Sequence, residues 1–162
     1  NILRMEEEKP REYYPIPLGV TVLQETSDGY FLVGVKGNGS DQKGIATVGS
    51  GYIKRGQDEE VIGALARECL EETRYHGDFN VGNARAIAVI SGSNNDVGIG
   101  IHLPIAQTSK QVGLNGDEHS KLILLPNGEA LLKQVLARGS YKGIPASDQM
   151  LGVLESYLKQ KG

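Results

Sequence analysis

The hydrophobic period changes partway along this chain, and that change limits its fold more than any other feature. The early segments "LGVTVLQE" (Leu18 to Glu25) and "YFLVGV" (Tyr30 to Val35) are strand-sized runs joined by the turn "TSDG", and they read as a hairpin. From Asp58 the spacing differs. Ile62, Leu65, Ala66 and Cys69 recur at three- and four-residue steps, the mark of an amphipathic helix with Asp58 as its expected N-cap. Strand character returns in "ARAIAVIS" and "VGIGIHLPI", joined by "GSNND", and in "KLILL". Helices are expected over "NGEALLKQVLA" and "DQMLGVLESYLKQ". Strands and helices that interleave without repeats make the class α/β or α+β.

Between these segments lie "KGNGSDQKG", whose glycines and polar residues mark a loop, "IATVGSGYI", a strand broken at Gly49 and Gly51, and the polar stretch "TSKQVGLNGDEHS". The 162 residues suit one domain able to bury about two-thirds of its unfolded surface. Residues 1–15 are expected to form an N-terminal arm and residues 16–162 a single domain. A formal charge of -3 supplies no broad basic field for nucleic acid. No apolar run approaches the roughly 20 residues of a membrane span. The charged start "NILRMEEEKPREYYP" has no signal-peptide pattern, although the lack of an initial methionine leaves an upstream piece open. Cys69 is the only cysteine; it suits a reducing compartment and a place in the core, so the expected location is cytoplasmic.

The helix from Asp58 ends in "ARECLEET" (Ala66 to Thr73), which gathers three glutamates. With Glu68 at zero, Glu72 falls near about 40° and Glu71 near about 300°, beside the apolar face at about 60° to 160°. This costs stability, since Glu68 and Glu72 are like charges at i, i+4 near a helix C-terminus. A bound hard cation such as Mg²⁺, which takes oxygen ligands and retains waters for phosphates, would reverse both penalties. A bare acidic run is most often a solvated face, so the rest of the pattern matters. Glu59 stands eight residues before Arg67, giving E-x7-R-E-C-x-E-E, with Tyr75 as an apolar close. Five specified charges arise by chance about once in a million windows, which makes coincidence a poor account.

The segment "EEVIGALARECLEETRY" (Glu59 to Tyr75) resembles the box of the Nudix hydrolase family, G-x5-E-x7-R-E-U-x-E-E-x-G-U, and the order of elements fits that fold over most of the chain. The resemblance implies a three-layer α/β/α sandwich around a mixed sheet. It also implies a hydrolase that cleaves the pyrophosphate linkage of a nucleoside diphosphate joined to another group, of ADP-ribose or nucleotide-sugar type, or of a nucleoside triphosphate. By the family pattern Glu68, Glu71 and Glu72 would hold Mg²⁺ or Mn²⁺, and Arg67 would brace them through Glu59. Glu71 or Glu118, the latter in "NGDEH" before a strand, would serve as the acid that activates water. A homodimer is common in the ADP-ribose group of that family. Two readings stand beside this one: a non-catalytic, nucleotide-sensing regulatory or binding domain of the same fold, and an interaction domain whose acidic face is solvated.

The box glycines depart from the pattern. The early one falls on Ile53 and the late one on Arg74. A loop two residues longer would let the Gly51 carbonyl still face the metal, and Gly77 would end the helix in place of Arg74. Lys54 and Arg55 are the candidates to meet phosphate. Gly98 and Gly100 clear one face of a strand for close packing or for a base. Tyr13, Tyr14, Tyr30, Tyr52 and Tyr141 are the aromatic candidates for stacking. His76, His102 and His119 lack zinc-like spacing and are assigned no metal.

Overall fold

A computed structural model describes residues 18–37, 44–54, 58, 60–91 and 97–162. The N-terminal arm, Glu59, Arg55, Tyr13 and Tyr14 lie outside the described residues. The strands are β1 (Leu18–Glu25), β2 (Tyr30–Lys36), β3 (Ile45–Thr47), β4 (Gly51–Tyr52), β5 (Thr73–Tyr75), β6 (Arg85–Ser91), β7 (Val97–Pro104), β8 (Val112–Leu114), β9 (His119–Pro126), β10 (Ser140–Tyr141) and β11 (Ile144–Pro145). Helix α1 (Val61–Glu72) lies between β4 and β5, α2 (Glu129–Arg138) follows β9, and α3 (Asp148–Lys161) ends the chain.

Among the described residues seven strands form one mixed sheet in the order β3-β2-β1-β7-β6, with β4 also paired to β1 and β9 to β2. Strand β1 runs parallel to β7 along its whole length, and the other ladders of this sheet are antiparallel. Its near-continuous apolar run is covered on both faces. Val20 and Val22 pack with Leu65 and Cys69 of α1, whereas Leu23 packs with Leu132 and Val135 of α2 and Met150, Val153 and Leu154 of α3. The expected three layers are therefore present. Burial pushes the Cys69 thiol up to about 12, so it serves as a small core hydrophobe. No helix among the described residues is long and apolar enough to cross a membrane.

Four local expectations are corrected. Helix α1 starts at Val61 with Glu60 at its N-cap and no side-chain cap, because the Asp58 carboxylate is engaged elsewhere. Its buried face is rotated: Ile62 is exposed, and Glu68 and Glu72 are buried with Ala64, Leu65 and Cys69. The helix ends by passing straight into β5 at Thr73, so Arg74 is a strand residue; Gly77, at φ 96°, turns the chain after β5. The stretch read as a polar loop contains β8, which pairs with β5. Both are three-residue strands, too short to show a period.

Candidate active site

Arg67 draws the site together. Its Nε and one terminal nitrogen form a fork on both Asp58 oxygens at 3.0 and 2.9 Å, and the same terminal nitrogen donates to the Tyr52 carbonyl at 3.0 Å. The other terminal nitrogen reaches Glu68 Oε1 at 2.7 Å and Glu71 at 3.4 Å. The Asp58 carboxylate holds the guanidinium well above its usual range, and Arg67 in turn lowers Asp58. Arg67 thus contacts Glu68 and Glu71 as expected and adds Asp58 to them, while the expected contact with Glu59 lies outside the described residues. Asp58 also accepts the Lys54 backbone N–H at 2.7 Å.

The three glutamates fare differently. Glu71 is half exposed. Glu68 is buried against Gly51, so closely that a Cβ on residue 51 would fall 2.3 to 2.5 Å from its carboxylate. Burial raises Glu68 while Arg67 opposes the rise. The Gly51 carbonyl oxygen lies beside Gly19 on β1. Glu72 is the most enclosed: its Oε2 accepts the Gly49 N–H, and its Oε1 has no hydrogen-bond partner among the described residues. Burial, opposed by His119 and assisted by the neighbouring Glu118 carboxylate, pushes Glu72 up to about 6.

Two elements bring Glu118 and His119 here. Asn115 donates its backbone N–H to the Glu72 carbonyl at 2.8 Å and its side-chain amide to the Leu70 carbonyl at 3.1 Å. These are carbonyls the last turn of α1 leaves open, so the loop bearing Glu118 is tied to the helix end. A bulge between β2 and β9 pairs Lys36 with His119 and Val35 with Lys121, which leaves Ser120 as the extra residue. The bulge turns His119 onto the α1 side, over Gly34, where a Cβ would stand 2.2 Å from its ring. His119 Nε2 lies 3.4 Å from Glu72 Oε1, too poorly aligned for a hydrogen bond. Lys36 reaches Glu118 at 3.8 Å.

A cavity of about 210 Å³ adjoins these groups. Lys36, Gly51, Tyr52, Glu72 and Glu118 line its charged end, and Ser147 and Gln149 line another part at the start of α3. Gly98 is part of the wall, with nothing closer than 3.6 Å to a Cβ placed there. Gly100 has a different reason to be glycine, since a Cβ there would meet Ala88, Ile90 and Val153 at 3.1 to 3.3 Å. Of the tyrosines, Tyr52 is at the cavity; Tyr141 packs by α2 and α3, and Tyr30 starts β2. Lys54 is exposed and is not among the cavity residues. Sequence reasoning missed Lys36, Gly49, Asp58 and His119. Only His119 left a signal, as the neighbour of Glu118.

Among the described residues no three His, Cys, Asp or Glu side chains are already drawn together as a metal-holding group. The donors nonetheless suit a hard cation: three carboxylates gather at one helix end, and Glu72 carries a buried oxygen with no partner.

No family model matches the chain, and no curated protein matches it in sequence. Solved structures are similar in fold. The NUDIX domain of Shewanella oneidensis NrtR, in complex with ADP ribose, is 13% identical with a TM-score of 0.64, over 100% of this chain and 99% of that one. A bifunctional NMN adenylyltransferase/ADP ribose pyrophosphatase from Francisella tularensis, complexed with AMP and Mn ion, is 16% identical with a TM-score of 0.65, over 99% of this chain and 45% of that one. The MutT protein of Methanosarcina mazei Go1 is 17% identical with a TM-score of 0.63, over 92% and 96%. The chain thus has a Nudix fold.

Proposed function

We propose that the chain is a metal-dependent hydrolase that cleaves the pyrophosphate linkage of a nucleoside diphosphate joined to another group, of ADP-ribose or nucleotide-sugar type, or of a nucleoside triphosphate. The observation that carries this reading is Glu72. A buried carboxylate with an open oxygen beside a second carboxylate is costly to keep, and groups perturbed in this way concentrate at functional sites. Glu68, Glu71 and Glu72 would hold Mg²⁺ or Mn²⁺. When bound, such an ion neutralises charge on phosphate oxygens and makes water more acidic. Glu118, at the cavity and next to Glu72, is the candidate proton acceptor, with Glu71 as the other acid available. Arg67 acts through Glu68 and Glu71 by holding them in place, and Gly51 gives Glu68 room at the cavity edge. Lys36, which lines the cavity, is a candidate to face the phosphates beside Lys54 and Arg55. The ADP ribose and AMP bound by two structures of this fold support a nucleotide as the ligand class.

The test is release of nucleoside monophosphate from nucleoside triphosphates, ADP-ribose, other nucleotide sugars and dinucleoside polyphosphates, with Mg²⁺ or Mn²⁺. The native chain is compared with Glu72→Gln. Turnover that needs metal and disappears in the variant supports the hydrolase. Nucleotide retained unchanged across the panel would replace it with the nucleotide-sensing reading.

A further inference from the structure

We infer that Gln24 is a positioning residue for Glu72, acting through the Val48–Gly49 peptide. Gln24 is fully buried on β1. Its Nε2 donates to the Val48 carbonyl at 2.9 Å and to Thr73 Oγ1 at 3.0 Å, and its Oε1 accepts the Tyr75 hydroxyl at 2.5 Å. A backbone carbonyl can only accept, so Val48 settles which way the amide faces.

The Val48 carbonyl and the Gly49 N–H belong to one peptide group. In a planar trans peptide the two point in opposite directions. Drawing the carbonyl onto Gln24 therefore aims the N–H the other way, and there it donates to Glu72 Oε2. The same Nε2 holds Thr73, the residue after Glu72, so one amide group sets both the donor and the backbone that carries the acceptor. Gly49 completes the device. It stands at φ 93°, and a Cβ on it would lie 2.9 Å from both Cys69 Sγ and Gln24 Nε2.

A buried glutamine loses its hydration and regains it only through hydrogen bonds, whereas leucine or methionine would fill the same space without that requirement. Direction is what an apolar side chain cannot supply. Only the consequence for metal affinity rests on reading Glu72 as a ligand; the aim of the Gly49 N–H does not.

The test is nuclear magnetic resonance on the full chain without metal, paired with Mn²⁺ titration. In the native chain the Gly49 amide proton should lie downfield, and a through-hydrogen-bond coupling should join Gln24 Nε2 to the Val48 carbonyl carbon. Gln24→Met, which keeps the volume, should move the Gly49 proton upfield to the range of unbonded loop amides. It should also weaken Mn²⁺ binding about tenfold or more. Tyr75→Phe takes away the hydroxyl bonded to Oε1 but keeps both Nε2 bonds, and should leave the Gly49 resonance in place and the Mn²⁺ affinity within about threefold. A folded Gln24→Met chain with a native Gly49 resonance would overturn the inference. So would absence of the Gln24–Val48 coupling in the native chain, a result that stands even if Gln24→Met does not fold. Should the native chain bind no Mn²⁺, the metal reading falls, and the resonance and coupling alone decide the positioning.

Discussion

His102 beside Glu25 and His119 beside Glu72 are the same two residue types at enclosed positions, yet their surroundings make them opposites. His102 Nε2 meets Glu25 Oε2 at 3.0 Å, and the other oxygen of Glu25 accepts the Asn127 amide at 2.8 Å. Asn127 also bonds the Tyr157 hydroxyl at 2.8 Å, and the His102 ring packs edge-on against Tyr157. Chiefly because of His102, Glu25 titrates below its ordinary range. Glu72 has its histidine misaligned, one oxygen unpartnered, a second carboxylate alongside, and a titration pushed up to about 6. A hydrogen-bonded pair, in which only His102 Nδ1 lacks a partner among the described residues, ties α3 and the loop after β9 to the sheet. An unsatisfied one holds a place for something else.

The largest contrast is expected between Glu72→Gln and Glu25→Gln. The first should lower metal-dependent turnover by about a thousandfold, since it takes away a proposed metal ligand. The second should leave turnover within about threefold and lower stability by about 1 to 2 kcal/mol in urea unfolding. Equal losses of turnover would break the comparison.

The histidines should divide in the same way. His119→Gln is expected to reduce turnover about tenfold with little change in stability, because neither ring nitrogen makes a hydrogen bond among the described residues. Gly34→Ala must displace the ring that occupies its Cβ position, so it should reproduce that loss, and the double variant should be no worse than either alone. Additive losses in the double variant would mean that the ring is not the shared cause.

Stability against pH sharpens the contrast in the metal-free chain. Glu25 is lowered from 4.5, so its contribution is complete at neutral pH and is lost as pH falls through its folded value. Glu72 is raised from 4.5 to about 6, so its proton is held more tightly in the folded chain. Its contribution is greatest in acid, and stability falls by about 2 kcal/mol at most as pH rises from 4.5 past 6. Denaturant midpoints for Glu72→Gln should lack that fall, making the inactive variant more stable than the native chain at pH 8. The smallest effect is expected at the Lys36–Glu118 pair, where the acid is half exposed. Lys36→Met should change stability by less than about 0.5 kcal/mol, as measured by thermal unfolding.

The period of the apolar residues located β1, β2, β6, β7, α2 and α3 to within about two residues, because long amphipathic segments carry their own periodicity. The spacing E-x7-R-E-C-x-E-E located the acidic end of α1, because residues on one helix keep their relative angles in any environment. How that helix is turned could not be read from it. Burial of Glu68 and Glu72 in place of Ile62 depends on how α1 meets the Gly49–Gly51 turn and β5.

The sequence by itself therefore determined that strands and helices interleave and which acids share one helix end, since both follow from spacing within single elements, while the layered arrangement was implied only by the resemblance. Only the tertiary structure decided which acid is buried and what it faces. Asp58 on Arg67, His119 turned by one extra residue in β9, and Gln24 reaching 49 residues along the chain to Thr73 are contacts between elements. Such contacts are set by a bulge, a peptide plane and a missing Cβ, none of which leaves a period in the chain.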